Sequence, residues 1–369
     1  MKRRTMLSLL ASLPAATVLA RESGNLVLGQ SAPSTGPSAQ LGIQLNRGAR
    51  LYFDKINAAG GVNGQKIELR MLDDGYEPAR AKANTETFLN DDVFALFGYV
   101  GTPTSLAALP LVKDSGIPFF GPFTGAMALR QPALRNVFHV RASYDDETAL
   151  IVNELHNLGQ VKIAVFRQND SYGQAGLDGT TKALKALGLA PVAVGSFERN
   201  TVNVADAVKT ITAAKPDGVV QIGSYKACAA FIRQARAAGY GGQFFNVSFV
   251  GTKALSDELS KEALGVVVSQ VMPYPFSGAV PIVRDYLDAV KAAGDATVNY
   301  SSLEGYIDAR VFVEGLRRGR ANTREGLAGG LESLQHVDYD GFNLNFNREH
   351  AASHFVELSM LTGDGGVRR

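Results

Sequence analysis

Apolar positions recur every three or four residues over long stretches of this chain, and short continuous apolar runs separate those stretches. Leu41, Leu45, Ala49, Tyr52, Phe53 and Ile56 share one side of a helix over 40–56, which Gly60-Gly61 ends. The runs at 26–28, 67–72, 94–97 and 117–120 predict strands, with helices over 78–89 and 104–113 between them. After Arg141 the rhythm restarts, with helices over 147–158, 172–187, 204–214 and 226–238 and strands over 161–166, 192–194 and 218–222. Alternation of this kind predicts an α/β fold of parallel sheets covered by helices on both faces, here in two successive halves that divide near Ala142-Ser143-Tyr144. A third part, from about Met272, departs from the rhythm. It supplies helices over 282–293 and 301–318 and a polar strand pair around 341–346 and 354–361.

The amino terminus carries a different pattern. Lys2, Arg3 and Arg4 precede an apolar run from Met6 to Ala20, the arrangement of a secretory signal peptide over residues 1–20. The run is shorter than the roughly 20 residues that span a bilayer, so the mature chain is expected to be soluble in the periplasm. Arg3-Arg4-Thr5-Met6-Leu7 resembles a twin-arginine export signal, an alternative route out of the cytoplasm. The single cysteine, Cys228, lies far from the cleavage point, which argues against a lipoprotein anchor and excludes an internal disulfide. Within Ala227-Cys228-Ala229-Ala230 it reads as a small buried hydrophobe.

Charge then narrows the partners. The whole chain is +2, with 37 Lys and Arg against 35 Asp and Glu. Loss of Lys2, Arg3 and Arg4 leaves 34 against 35, so nothing favours nucleic acid. The remaining length suits two domains.

Candidate chemistry is sparse. Ligands of open parallel sheets bind beyond the carboxyl ends of strands, and the best such place is Gly98-Tyr99-Val100-Gly101-Thr102-Pro103-Thr104-Ser105. Thr102 as N-cap and Pro103 at the first helical position would leave the amides of Thr104 and Ser105 facing the cleft, a geometry suited to a carboxylate. No lysine-bearing phosphate loop and no Gly-x-Ser-x-Gly elbow occur. His350 and His354 have helical spacing without an intervening acid, and His139, His156 and His336 stand alone, so neither a metal, a cofactor nor a catalytic centre is expected.

Several segments together resemble the leucine/isoleucine/valine-binding family of periplasmic solute receptors. They are Ser34-Thr35-Gly36-Pro37 with Gln40 and Gly42, residues 56–64 (INAAGGVNG), Asp73-Asp74 with Pro78, residues 171–177 (SYGQAGL), residues 233–239 (RQARAAG) and residues 301–318 (SSLEGYIDARVFVEGLRR). The resemblance runs from about Leu26 to Leu361. It implies two doubly wound parallel-sheet lobes with a cleft and hinge between them, the type I periplasmic binding fold. The chain would cross between lobes three times, so that 24–142 with 273–335 forms lobe 1 and 143–272 with 336–369 forms lobe 2. It implies a monomeric receptor of an ABC importer that binds an amino acid, another small carboxylate or an amide and delivers it to membrane permease subunits, with no enzymatic activity. A ligand sensor of the same fold, coupled to a signalling partner, is the alternative.

Carried over position by position, the resemblance puts Thr102 on the ligand carboxylate, Phe123 and Thr124 at the ligand's polar end, and Tyr172 over the ligand from the second lobe. It puts Ser224 or Tyr225 at another cleft position and Leu41 in the side-chain pocket. Tyr99, Phe119, Phe123, Tyr172, Tyr225 and Phe249 are candidate aromatic walls. One departure stands out, since Ser248 occupies the position of the carboxylate that receives the ligand ammonium. A buried ammonium without a carboxylate partner is costly, so an α-amino acid ligand needs a replacement, for which Asp145, Asp146 and Glu304 are the candidates.

Overall fold

The computed structural model describes residues 24–295, 297–346 and 349–369. The export segment expected at 1–20 lies outside the described residues. The first half runs β1 (Leu26–Ala32), α1 (Ala39–Ala58), β2 (Ile67–Asp73), α2 (Pro78–Asn90), β3 (Ala95–Phe97), α3 (Thr102–Val112), β4 (Phe119–Phe120) and β5 (Val137–Phe138). Its strands form an all-parallel sheet in the order β2-β1-β3-β4-β5.

The second half repeats the plan with α4 (Tyr144–Asn157), β6 (Ile163–Gln168), α5 (Ser171–Ala186), β7 (Ala193–Phe197), α6 (Ala205–Ala213), β8 (Gly218–Ile222), α7 (Tyr225–Ala237), β9 (Gln243–Asn246), α8 (Thr252–Leu259) and β10 (Val267–Gln270). Its parallel strands run β10-β9-β8-β6-β7, the same order as the first sheet with each strand replaced by its counterpart. In both sheets the strand order reverses between the first and third strands, which opens a crevice at their carboxyl ends.

The remaining chain is α9 (Pro281–Ala292), α10 (Tyr300–Gly319), α11 (Arg324–Glu332), β11 (Val337–Tyr339), β12 (Phe342–Leu344), β13 (Glu357–Leu361) and β14 (Val367–Arg368). Helix α10 lies against α1 of the first half. The approach is close because glycines face backbone: a Cβ on Gly48 would stand 1.8 Å from the Ser302 carbonyl oxygen, and one on Gly305 2.0 Å from that of Leu45. Strand β13 then pairs antiparallel with β10 and extends the second sheet, with β14 antiparallel at its edge.

Two expectations are corrected here. The polar strands near the carboxyl terminus do not pair with each other, because β12 closes a tight hairpin on β11 while β13 joins the second sheet. Helix α3 begins at Thr102, the residue expected as its N-cap, and Gly101 is the N-cap instead, with φ 101°. Only glycine takes that angle without strain, and a Cβ there would meet the Tyr76 ring at 2.3 Å. Local signals explain other helix starts: Ser143 and Asp146 form a reciprocal capping box on α4, and Asp170 accepts from the amides of Tyr172 and Gly173 at the head of α5.

Candidate functional site

The loops after β3 and β4 in the first sheet face those after β6, β8 and β9 in the second, and the predicted residues divide among three environments.

Thr102 and Thr124 come together. Both are buried and share a hydrogen bond of 2.7 Å between their hydroxyls. Ser105 is buried beside them with its hydroxyl unpartnered. Its amide is not free, however: with Gly101 as cap, Ser105 N donates to the Gly101 carbonyl at 3.1 Å. The Thr104 hydroxyl is likewise spent on the carbonyls of Val100 and Gly101. The expectation of a free amide at Ser105 is therefore corrected, while none of these bonds uses the Thr104 amide.

Behind these lies an aromatic cluster drawn from both halves. Phe249 stands 4.6 Å from Tyr172, 5.5 Å from Phe123 and 5.8 Å from Tyr76 between ring centroids, and Tyr144 stands 5.4 Å from Tyr172. All five are buried. Tyr76 sits in the loop before α2 at φ 63°, and neither it nor Tyr144 was singled out by pattern or resemblance. Tyr99 and Phe119 are corrected out of this group. Their rings pack on each other at 4.9 Å in a separate core between the first sheet and helices α2 and α3, where the Tyr99 hydroxyl bonds Thr85 at 2.9 Å.

At the centre is Arg141, 1% exposed. Its guanidinium carbon lies 4.7 Å over the Phe123 ring, Nη2 donates to the Ser248 hydroxyl, and ion-pair distances are 3.5 Å to Glu147 and 3.4 Å to Glu304. Glu147, fully buried on α4, accepts from Ser248 N at 2.7 Å, the Ser248 hydroxyl at 3.0 Å and the Ser269 hydroxyl at 2.6 Å. Convergent donors suit the ionised carboxylate, although burial pushes its pKa up against the pull of Arg141. Glu147, 101 residues upstream, thus places a carboxylate against Ser248, already paired with the Arg141 cation.

Two more acids on α10 complete the centre. Burial raises Glu304 to about 7, with Arg141 pulling the other way. Burial and the neighbouring Glu304 raise Asp308 well above the carboxylate range. For Arg141 itself burial opposes the charge, but Glu304 and Glu147 outweigh it and its pKa is raised. Asp145 and Asp146 do not act here: Asp145 pairs with Lys182, and Asp146 caps α4 and meets His354 at 3.2 Å.

The outer rim holds the rest. Leu41 and Tyr225 line a cavity of about 640 Å³ between α1, α7, α8 and the start of α10, joined by Gln40, Gln44, Asn299 and Ser301. Ser224 is the N-cap residue of α7 and makes no side-chain cap bond. A second cavity, of about 240 Å³, is lined by Thr102, Tyr144, Ser171 and Gln174. Polar contacts bridge the halves near Tyr76: Glu77 receives Arg199 at 3.0 Å and Asn200 at 2.7 Å, and Gln168 donates to the Tyr76 hydroxyl at 3.3 Å. Among the described residues no three His, Cys, Asp or Glu side chains group as a metal site. His139 is buried and bonds the Leu129 carbonyl, while His350 stacks on Phe138 at 4.4 Å. Cys228 is buried and burial raises its pKa, as its apolar neighbours predict. No described helix is long and apolar enough to cross a membrane.

Residues 26–363 match the family model described as periplasmic binding protein. A solved possible leucine/isoleucine/valine-binding protein from Rhodopirellula baltica SH 1 is 36% identical, with a TM-score of 0.87 over 93% of this chain and 95% of that one. The Leu/Ile/Val-binding protein homolog 7 of Brucella suis is 27% identical over 93% of this chain and 90% of its own length. The amino acid binding protein of Pseudomonas aeruginosa is 29% identical over 65% of this chain and 64% of its length, so that match spans just under two thirds of it.

Proposed function

The chain belongs to the periplasmic binding protein family, and on that footing we propose that it is the solute receptor of an ABC importer. It captures a small ligand in the interlobe cleft and presents it to membrane permease subunits. The observation that carries this reading is the meeting of the two sheets' carboxyl edges around one buried centre, to which both halves contribute: Thr102, Phe123 and Thr124 from one side, Tyr172 and Phe249 from the other, with Arg141 between them. A ligand that touches both sides shifts the population toward closure. Residues 24–142 with 273–335 move as one lobe and 143–272 with 336–369 as the other. The working protein is a monomer in the periplasm, and residues 1–20 direct its export. The relatives are solute-binding proteins rather than enzymes.

The test is a thermal-shift screen on protein unfolded and refolded to strip carried ligand, followed by small-angle scattering with each hit. A ligand at 100 times its Kd stabilises by about 2.7 kcal/mol. Hits are expected to raise the midpoint and reduce the radius of gyration, and Thr102→Ala to weaken binding more than tenfold. A hit that leaves the scattering unchanged contradicts the receptor reading.

A further inference from the structure

We propose that the ligand is a carboxylate that carries no amine, with an apolar body walled by Tyr76, Phe123, Tyr144, Tyr172 and Phe249, and that Arg141 is its anchor. This rests on the receptor reading above and narrows it to a ligand class. The argument is an account of which charges at the centre are already spent. Glu147 has its oxygens committed to Ser248 N, the Ser248 and Ser269 hydroxyls and Arg141. Glu304 faces Arg141 at 3.4 Å, and burial and Glu304 raise the pKa of Asp308, which disfavours its charged form. No carboxylate at the centre is left for an ammonium, which would also enter beside the Arg141 cation.

The cation, by contrast, has capacity to spare. Nη2 is bonded to Ser248, but Nε and Nη1 are buried and make no hydrogen bond. Cδ lies between these two donors, so they point to different sides of the guanidinium, and each can give one charge-assisted hydrogen bond to a carboxylate oxygen. The guanidinium carbon lies over the Phe123 ring, and Thr124, next in sequence to Phe123, shares its hydroxyl hydrogen bond with Thr102 at the start of α3.

An incoming anion changes the charge of the centre, and Glu304 is placed to absorb the change. The groups that face it are Arg141 at 3.4 Å, Glu147 across that guanidinium, Asp308 one turn along α10, and Arg130, which donates to the carbonyls of Arg141 and Ala142. When the ligand carboxylate takes Nη1, Glu304 loses its counter-charge and takes up from solvent the fraction of a proton it lacks. Binding is therefore accompanied by proton uptake near neutral pH.

The experiment is titration calorimetry on the mature protein with matched pairs that differ by the amine: 4-methylpentanoate against L-leucine, and 3-phenylpropanoate against L-phenylalanine. At least one acid is expected to bind, its amino acid at least 100-fold more weakly, with proton uptake read from buffers of different ionisation enthalpy. An amino acid that binds as tightly as its matched acid overturns the proposal. Arg141→Met with Glu147→Gln removes the buried pair together and is expected to cost the acid at least 100-fold. Where that variant fails to fold, Arg141→Lys keeps the charge and loses the Nε and Nη1 donors, and unchanged affinity in it overturns the anchor role. Silence from both members of every pair overturns the ligand class, whereas the receptor reading falls when a hit from the wider screen leaves the scattering unchanged.

Discussion

Glu77→Ala tests whether the contacts that bridge the two halves hold them together. Glu77 precedes α2 in the first half and receives two groups from the loop after β7 in the second: Arg199 at 3.0 Å and Asn200 at 2.7 Å. The substitution leaves its own helix intact, because Glu77 makes no side-chain cap bond and Pro78 already occupies the first turn. It strands no charge either, since Arg199 keeps Asp170 on its own side at 3.3 Å. Glu77 is 43% exposed and Arg199 23%, so solvent screens the pair and each contact contributes only about 0.2–1 kcal/mol. Together they favour closure by about 1 kcal/mol, a factor of roughly five in the ratio of closed to open forms. Apparent Kd scales inversely with the binding-competent fraction. Glu77→Ala is therefore expected to raise the Kd of a screened ligand by up to about fivefold and to enlarge the radius of gyration of the free protein, with thermal stability little changed. The ionic part should fade at high salt, where screening shortens to about 3 Å near 1 M. Equal affinity and equal scattering for the two proteins at low salt would refute the idea that this contact contributes to closure.

Two further outcomes follow from the buried centre and the helix contact beneath it. Glu304 has a folded pKa raised to about 7 by burial, so its protonated form is favoured in the folded state. The stability it supplies is complete below the ordinary carboxylate range and is lost as pH rises through 7. Glu304→Gln should flatten the fall in Tm between pH 5.5 and 8.5, and differential scanning at matched pH would show it. The difference between the two proteins isolates Glu304 from buried His139, whose lowered pKa acts in the opposite direction. Gly305→Ala places a methyl 2.0 Å from the Leu45 carbonyl oxygen, an overpacking that costs about 1–3 kcal/mol or more. Chemical denaturation should show a lower midpoint with an unchanged slope.

How far the site was legible depends on whether its signals are local. Helix periodicity and the Asp170 cap are written in adjacent residues, so α1, α5 and α10 were visible to within a few positions. Tyr99 shows where a local rule breaks. By strand alternation it belongs with Ala95 and Phe97 on the face toward α1 and α10, but Gly98 takes φ 61° and reverses the sequence of faces, which sends Tyr99 to the opposite core. The Arg141–Glu147–Ser248 centre had no local signal at all. Glu147 reads as an ordinary acid in a helical first turn, and its burial is decided by Ser248 and Ser269, 101 and 122 residues away. The resemblance marked an acid missing at Ser248 as a gap. What fills that gap is a property of the folded chain.

The return of the chain to both sheets sets the order in which the protein can be built. Helix α10 closes over α1, about 250 residues earlier, and β13 pairs with β10 after that helix has been made. Neither half can bury its last apolar face until residues 300–369 are present, so a growing chain carries two unfinished cores. Contacts of such long sequence separation slow folding. A truncation within the final strands would unsettle the second half while α10 still completes the first.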